Sequence, residues 1–307
     1  MKIIFENQSI SGLAVSGDLP GETTILLATN GSLFLSRDGG DSWIDTFGAL
    51  GLQDAFAVTS VLSLPRAGRA PLLLAGVSGG VLRSEDGGST WQFSSPVSPA
   101  PVVSVLAAWP DGGLFAGTAQ DGIFSSQDGG QKWVRWNFGL LDCHIFSLLC
   151  QRGVDGSQMV YAGTETGIFT SANQGRTWRE RDFPLDAGAV LSLACQPGPQ
   201  NGTLYAGTEA GGLLRSSELE NSWVPIGAQN LAGEIVCLTT LDDRLLAAAE
   251  DKLWVSPDRG ETWRICFELA EEDGVITALA LNGPQPGGMI WVGSSAGSLY
   301  GLPAGSI

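Results

Sequence analysis

The sole histidine, His144, directly follows Cys143, and a thiol beside an imidazole is a pairing that nucleophilic catalysis uses. Adjacent residues of a strand point to opposite faces, however, so proton transfer between these two has poor geometry. Glycoside hydrolysis needs two carboxylates about 5 to 9.5 Å apart, and the 32 Asp and Glu residues leave that chemistry open. Five cysteines, Cys143, Cys150, Cys195, Cys237 and Cys266, show no CxxC spacing. Four of them lie among apolar residues and are expected to be reduced packing residues. One histidine with scattered cysteines makes no zinc set, and neither a P-loop nor a strand-turn-helix nucleotide fingerprint is present. No metal and no cofactor are expected.

Charge narrows the partners. The 307 residues carry 16 Lys and Arg against 32 Asp and Glu, a net charge of -16. Nucleic acid and anionic membranes both select clustered Lys and Arg, so neither is an expected partner. No apolar run reaches the ~18 residues of a membrane span, and Glu6 interrupts the first apolar residues before a signal-peptide core forms. The expectation is a soluble, cytoplasmic protein. With 43% hydrophobic content, 12 Phe and 10 Trp, the chain has enough apolar mass to order a large core.

Whatever chemistry is present must be held by a repeat. The octet SRDGGDSW from Ser36 recurs as SEDGGSTW from Ser84, SQDGGQKW from Ser126, SANQGRTW from Ser171, SSELENSW from Ser216 and SPDRGETW from Ser256. Its third positions are Asp38, Asp86, Asp128, Asn173, Glu218 and Asp258, and its last positions are Trp43, Trp91, Trp133, Trp178, Trp223 and Trp263. Before each octet stands an apolar run broken by a small-residue step, as in VYAGTETGIF, which reads as a hairpin. Further upstream is a β-like run with a small third position: Gly12, Ser60, Ser104, Ser147, Ser192, Cys237 and Thr277. Seven copies of about 44 residues with four short strands each predict an all-β chain, a single seven-bladed β-propeller over 1–307. The small residues suit inner strands converging on one axis. The seventh unit lacks a fourth strand, so residues 1–7 are expected to supply the outer strand of the last blade and close the ring.

The octet resembles the Asp box of BNR-repeat propellers, found in sialidases, xyloglucanases, sortilin-type receptor domains and the photosystem II assembly propeller. The resemblance covers essentially the whole chain. It implies that the octet Asp and Trp residues are a fold staple on the periphery, the carboxylate accepting N–H bonds inside its own turn. The fifth copy departs most, with Glu218, Leu219 and Glu220 in place of Asp and both glycines. The sialidase Arg-Ile-Pro motif is missing, and Tyr161, Tyr205 and Tyr300 occupy packing positions, leaving no residue for a sialidase nucleophile. Xyloglucanase-like enzymes place their carboxylates between two propellers, and this chain supplies one.

Connections from one blade's outer strand to the next blade's inner strand, here called lead-ins, converge on one face. Asp54, Asp142, Asp186, Glu234 and Asp273 lie in lead-ins, and Asp121, Glu165, Glu209, Glu250 and Asp251 lie in second-to-third-strand turns on that same face. An acidic face would attract a basic peptide or protein surface. Trp136 and Phe138, with Leu140 and Leu141, sit beside Asp142, and Phe47, Leu50, Leu52 and Phe56 repeat the theme. These clusters read either as interaction hot spots or as plugs between blades. The sequence thus supports an interaction scaffold first, with a glycan-active hydrolase or lectin as the competing class.

Overall fold

The computed structural model describes residues 1–17, 23–47, 57–95, 101–109, 111–153, 156–196, 202–217, 222–227, 231, 233–282 and 288–307. The chain forms seven antiparallel four-stranded sheets. Six are built in chain order from inner to outer strand, and the inner strands are Ile10–Ser16, Val58–Arg66, Val103–Ala108, Ile145–Arg152, Val190–Gln196, Cys237–Leu241 and Ile276–Asn282. Each inner strand touches the inner strands before and after it, the seventh touching the first. The chain is therefore a closed ring, a seven-bladed β-propeller.

The core is divided in the same way. Seven apolar clusters exist among the described residues, one between each pair of neighbouring blades. A β-branched residue opens each inner segment: Ile10, Val58, Val103, Ile145, Val190, Ile235 and Ile276 are all buried. In five of the seven junctions it lies against a strand glycine of the preceding blade. A Cβ placed on Gly76, Gly117, Gly163, Gly207 or Gly293 would stand 2.6 to 2.7 Å from Val103, Ile145, Val190, Ile235 or Ile10. Glycine occupies these positions because two blades meet there, not because the backbone needs a positive φ.

A second device ties the blades together. Thr277 Oγ1 donates to Ile10 O at 2.6 Å, Ser11 Oγ to Val58 O at 2.5 Å, Thr59 Oγ1 to Val103 O, and Ser104 Oγ to Ile145 O at 2.5 Å. Ser147 Oγ donates to Val190 O at 3.0 Å and Ser192 Oγ to Ile235 O at 2.8 Å. The sixth blade carries the thiol of Cys237 instead, which makes no such bond to the described residues. Inner-strand bulges modify the small-residue series seen in the sequence. The pairing Val103↔Thr118 and Val105↔Gly117 shows that Ser104 is a bulge residue, equivalent to Ser11 and Phe146 and not to Gly12 and Ser147. Thr277 is displaced by one position in the same way. A bulge adds one residue that pairs with nothing, so a one-residue offset between copies leaves no trace in their spacing.

The ring closes through the N-terminus. Lys2–Ile4 pairs antiparallel with Ser298–Pro303 as the fourth strand of the last blade. Phe5 fills the junction, its ring 4.8 Å from Phe34 and 5.2 Å from Trp43. Replacing Phe5 by alanine should lower unfolding free energy by about 3 kcal/mol, and removing residues 1–7 should lower Tm further by exposing a sheet edge. Chemical denaturation of both variants checks this; an unchanged midpoint for the deletion would show that the closing strand carries no stability.

Candidate functional site

Two faces of the ring carry the polar residues, and their acids are used differently. The octets lie in the turns between third and fourth strands. Ser36 Oγ donates to Asp38 Oδ1 at 2.8 Å, while Ser42 N–H and Ser42 Oγ donate to the same carboxylate at 2.9 and 2.5 Å. Asp86 and Asp258 repeat the arrangement with the hydroxyls of Thr90 and Thr262, each at 2.6 Å. Asp128 accepts from Ser126 Oγ and from the N–H groups of Gln131 and Lys132. At Asn173 the amide oxygen accepts from Ser171 Oγ and Thr177 N–H while Nδ2 donates to Thr177 Oγ1 at 2.9 Å, so an amide completes the same turn. Trp133 and Trp178 are buried behind their turns, whereas Trp43, Trp91, Trp223 and Trp263 are half-buried. Glu218 lies outside the described residues.

On the opposite face, lead-ins and second-to-third-strand turns converge. The turns are held rigidly: Thr29, Thr118, Thr164 and Thr208 are fully buried, and each hydroxyl donates across its turn to the carbonyl of Ser32, Gly122, Gly167 or Gly212 at 2.8 to 3.0 Å. The first turn residue in the seven blades is Asn30, Ser78, Ala119, Glu165, Glu209, Glu250 and Ser295. Three glutamates therefore stand first in the turn on three consecutive blades, the fourth to the sixth, Glu250 alone of them with a left-handed backbone.

The acids anticipated on this face fall into distinct groups. Asp121, Asp186, Glu209, Glu234 and Glu250 make no side-chain hydrogen bond or ion pair to the described residues. Asp251 is paired with Lys252 at 2.9 Å, and that hydrogen bond draws its carboxyl below the usual range. Asp142 is buried: Oδ1 accepts from His144 N–H at 3.0 Å, and Oδ2 accepts from Thr166 N–H and Thr166 Oγ1, both at 2.9 Å. Burial alone would raise its pKa, but these donors outweigh burial and hold it lowered. Asp273 is buried likewise, accepting from Ser298 Oγ, Tyr300 OH and Lys2 Nζ, so it bolts the closing strand to the last lead-in. Asp54 lies outside the described residues, as do Leu50, Leu52 and Phe56.

The aromatic pair goes elsewhere. After Val134–Arg135 the chain bridges to the next blade, Phe138 pairing with Thr177, and Trp178 N–H donates to Phe138 O at 2.8 Å. Trp136 accepts the Arg176 guanidinium over its ring at 5.4 Å, and its carbonyl accepts from Trp178 Nε1. Both residues thus sit against the fourth octet on the outer edge, with Phe138 79% exposed. Leu140 and Phe47 are buried plugs, whereas Leu141 is exposed.

His144 is where a small-molecule or metal reaction would start. Its Nδ1 lies 3.2 Å from Asp142 Oδ1 and 3.3 Å from Glu165 Oε2. One imidazole and two carboxylates within 4.8 Å form a donor set for a divalent cation, but both Asp142 oxygens already serve the lead-in and the turn. The lowered pKa of Asp142 is the opposite of what a glycosidase general acid needs. Tyr161 and Tyr205 are fully buried, and burial pushes Tyr205 up to about 12. The thiols of Cys150, Cys195, Cys237 and Cys266 are also pushed up by burial, to about 11 or 12, and all five cysteines are unpaired. A raised thiol pKa keeps cysteine protonated and inert.

No protein-family model and no curated protein matches the chain. Solved structures do. A structure of YCF48 bound to D1 peptide is similar with TM-score 0.71 at 16% identity, covering 97% of this chain and 95% of that one. The WD40 β-propeller domain of Doa1 is similar with TM-score 0.71 at 12% identity, covering 97% and 94%. An ancestral GH74 enzyme is similar with TM-score 0.74 at 16% identity, covering 94% of this chain but 44% of that enzyme. The fold is that of a seven-bladed β-propeller. At such identities the likeness extends to the fold alone.

Hydrogen bonds dominate the octet carboxylates. The Ser42 hydroxyl holds Asp38 down to about 2, the Thr90 and Thr262 hydroxyls lower Asp86 and Asp258, and at Asp128 the Lys132 N–H and Ser126 hydroxyl outweigh burial. A folded pKa below the unfolded value of about 3.9 stabilises the fold above that pH, and the contribution is lost as pH falls toward the folded pKa. The four-fold variant with Asn at Asp38, Asp86, Asp128 and Asp258 should therefore show a flatter Tm between about pH 4 and pH 2 than the parent. Parallel slopes in a pH series of thermal melts would contradict this role.

Proposed function

We propose that the protein is a non-enzymatic interaction module of the Asp-box type that captures a basic peptide or protein surface on its lead-in face. The observation that carries this reading is the placement of Glu165, Glu209 and Glu250 at one turn position on three consecutive blades, on hairpins made rigid in two of the three by a buried threonine. With Glu209, Glu250, Asp186 and Glu234 uncompensated by described cations, this arc focuses negative potential in a chain of net charge -16. The structural similarity to YCF48 bound to D1 peptide and to a WD40 domain supports peptide or protein capture on this architecture. The similarity to a GH74 enzyme keeps glycan binding as the competing reading, but the lowered pKa of Asp142 counts against it as a general acid, and burial of Tyr161 and Tyr205 counts against a tyrosine nucleophile. A cytoplasmic site of action belongs to this proposal.

Neutralising the turns tests it. Glu165→Gln, Glu209→Gln and Glu250→Gln together should weaken capture of an arginine-rich peptide about tenfold at low salt, chiefly through the association rate, and flatten its salt dependence. Tm should change little, since these side chains are exposed. Equal capture by parent and variant, measured by fluorescence anisotropy across a salt series, would remove the acidic arc as the binding element.

A further inference from the structure

The residues at the channel rim divide the ring in two. The position after the β-branched opener of each inner segment reads Ser11, Thr59, Ser104, Phe146, Leu191, Val236 and Thr277 in blade order. In blades 7, 1, 2 and 3 it is a hydroxyl residue that donates to the next blade's carbonyl. In blades 4 and 5 that bond is made by the following serine, Ser147 or Ser192, and in blade 6 the following residue is Cys237. Phe146, Leu191 and Val236 are thus released from holding the ring, and they present apolar surface, Phe146 being 42% exposed and the other two half-buried. The lead-ins into blades 4 and 5 add Leu141 and Leu185, 80% and 91% exposed. These are the same three blades whose turns carry Glu165, Glu209 and Glu250.

Two independent residue series therefore change character together. Apolar surface on the blades whose turns carry these carboxylates is complementary to an apolar side chain with cationic neighbours: the acids select and steer, and the desolvated anchor slows dissociation. We propose that the rim of blades 4 to 6 is a docking site for a peptide segment in which a leucine or phenylalanine is flanked by arginine or lysine. This deepens the reading of an acidic capture face and rests on it. Blades 7 and 1 to 3, with their hydroxyl rim, act as the frame against which that arc is held.

The test uses the full chain and two capped peptides, one with leucine between arginines and one with serine in its place. Phe146→Ser, Leu191→Ser and Val236→Thr copy residue types that stand at the same position in other blades, and Ser147 and Ser192 remain to make the interblade bonds. The triple variant should lose about tenfold in affinity for the leucine peptide, mainly through faster dissociation, and bind both peptides alike; Phe146→Ser alone should show part of this loss and serves should the triple variant fail to fold. A leucine preference kept in full by folded variants would overturn the apolar site while leaving the acidic reading standing. Absence of salt-dependent binding by either peptide to the parent would overturn both. Sedimentation showing a dimer of the parent that the rim variants disperse would assign the surface to a second copy of the chain and overturn the peptide proposal.

Discussion

Closing seven sheets around one axis forces the inner strands into contact, and the remainder of the molecule follows from how that contact is made. Each junction receives a β-branched knob, in five cases against a glycine that lacks the Cβ which would collide with it. Six junctions add a hydroxyl donating to the next blade's carbonyl. This pairing fixes the rim residue in four blades and frees it in three. A packing requirement thereby decides where the ring has variable surface to offer.

The two faces differ because their acids have different partners. Octet carboxylates are consumed within their own turns by hydroxyls and neighbouring N–H groups, as at Asp86, which accepts from Ser84 Oγ, Thr90 Oγ1 and the N–H groups of Ser89 and Thr90. Asp142 and Asp273 are consumed by turn and strand residues far away in sequence. Among the described acids anticipated on this face, Asp186, Glu209, Glu234 and Glu250, in the turns and lead-ins of blades 5 and 6, have no side-chain partner, and Asp121 of blade 3 joins them, so net charge becomes local potential there.

The sequence displayed the ring plainly, because seven units, six octets and a missing last strand are all local patterns. The N-terminal strand was legible for the same reason: Lys2–Ile4 had no blade of its own and the last blade lacked an edge. The candidate site was legible only in part. In the sequence Asp142 and Asp273 belong with the acids of the binding face, because Thr166 and Lys2, which bind them, are separated from them by 24 and 271 residues. Trp136 and Phe138 stand beside Asp142 in the sequence, but a parallel bridge from Phe138 to Thr177 and the Trp178 bond to the Trp136 carbonyl set them against the fourth octet. The apolar rim is hidden in the sequence because the bulge shifts Ser104 and Thr277 against the other copies, so Phe146, Leu191 and Val236 do not line up as one series.

Backbone amide exchange with and without the arginine-flanked leucine peptide is the most direct probe of the central claim, that one arc of one face captures a cationic, apolar-anchored segment. Slower exchange should appear in the lead-ins and turns of blades 4 to 6, around His144, Glu165, Glu209 and Glu250, and leave the octets unchanged. Protection confined to the octet face, or spread evenly over all seven blades, would contradict it.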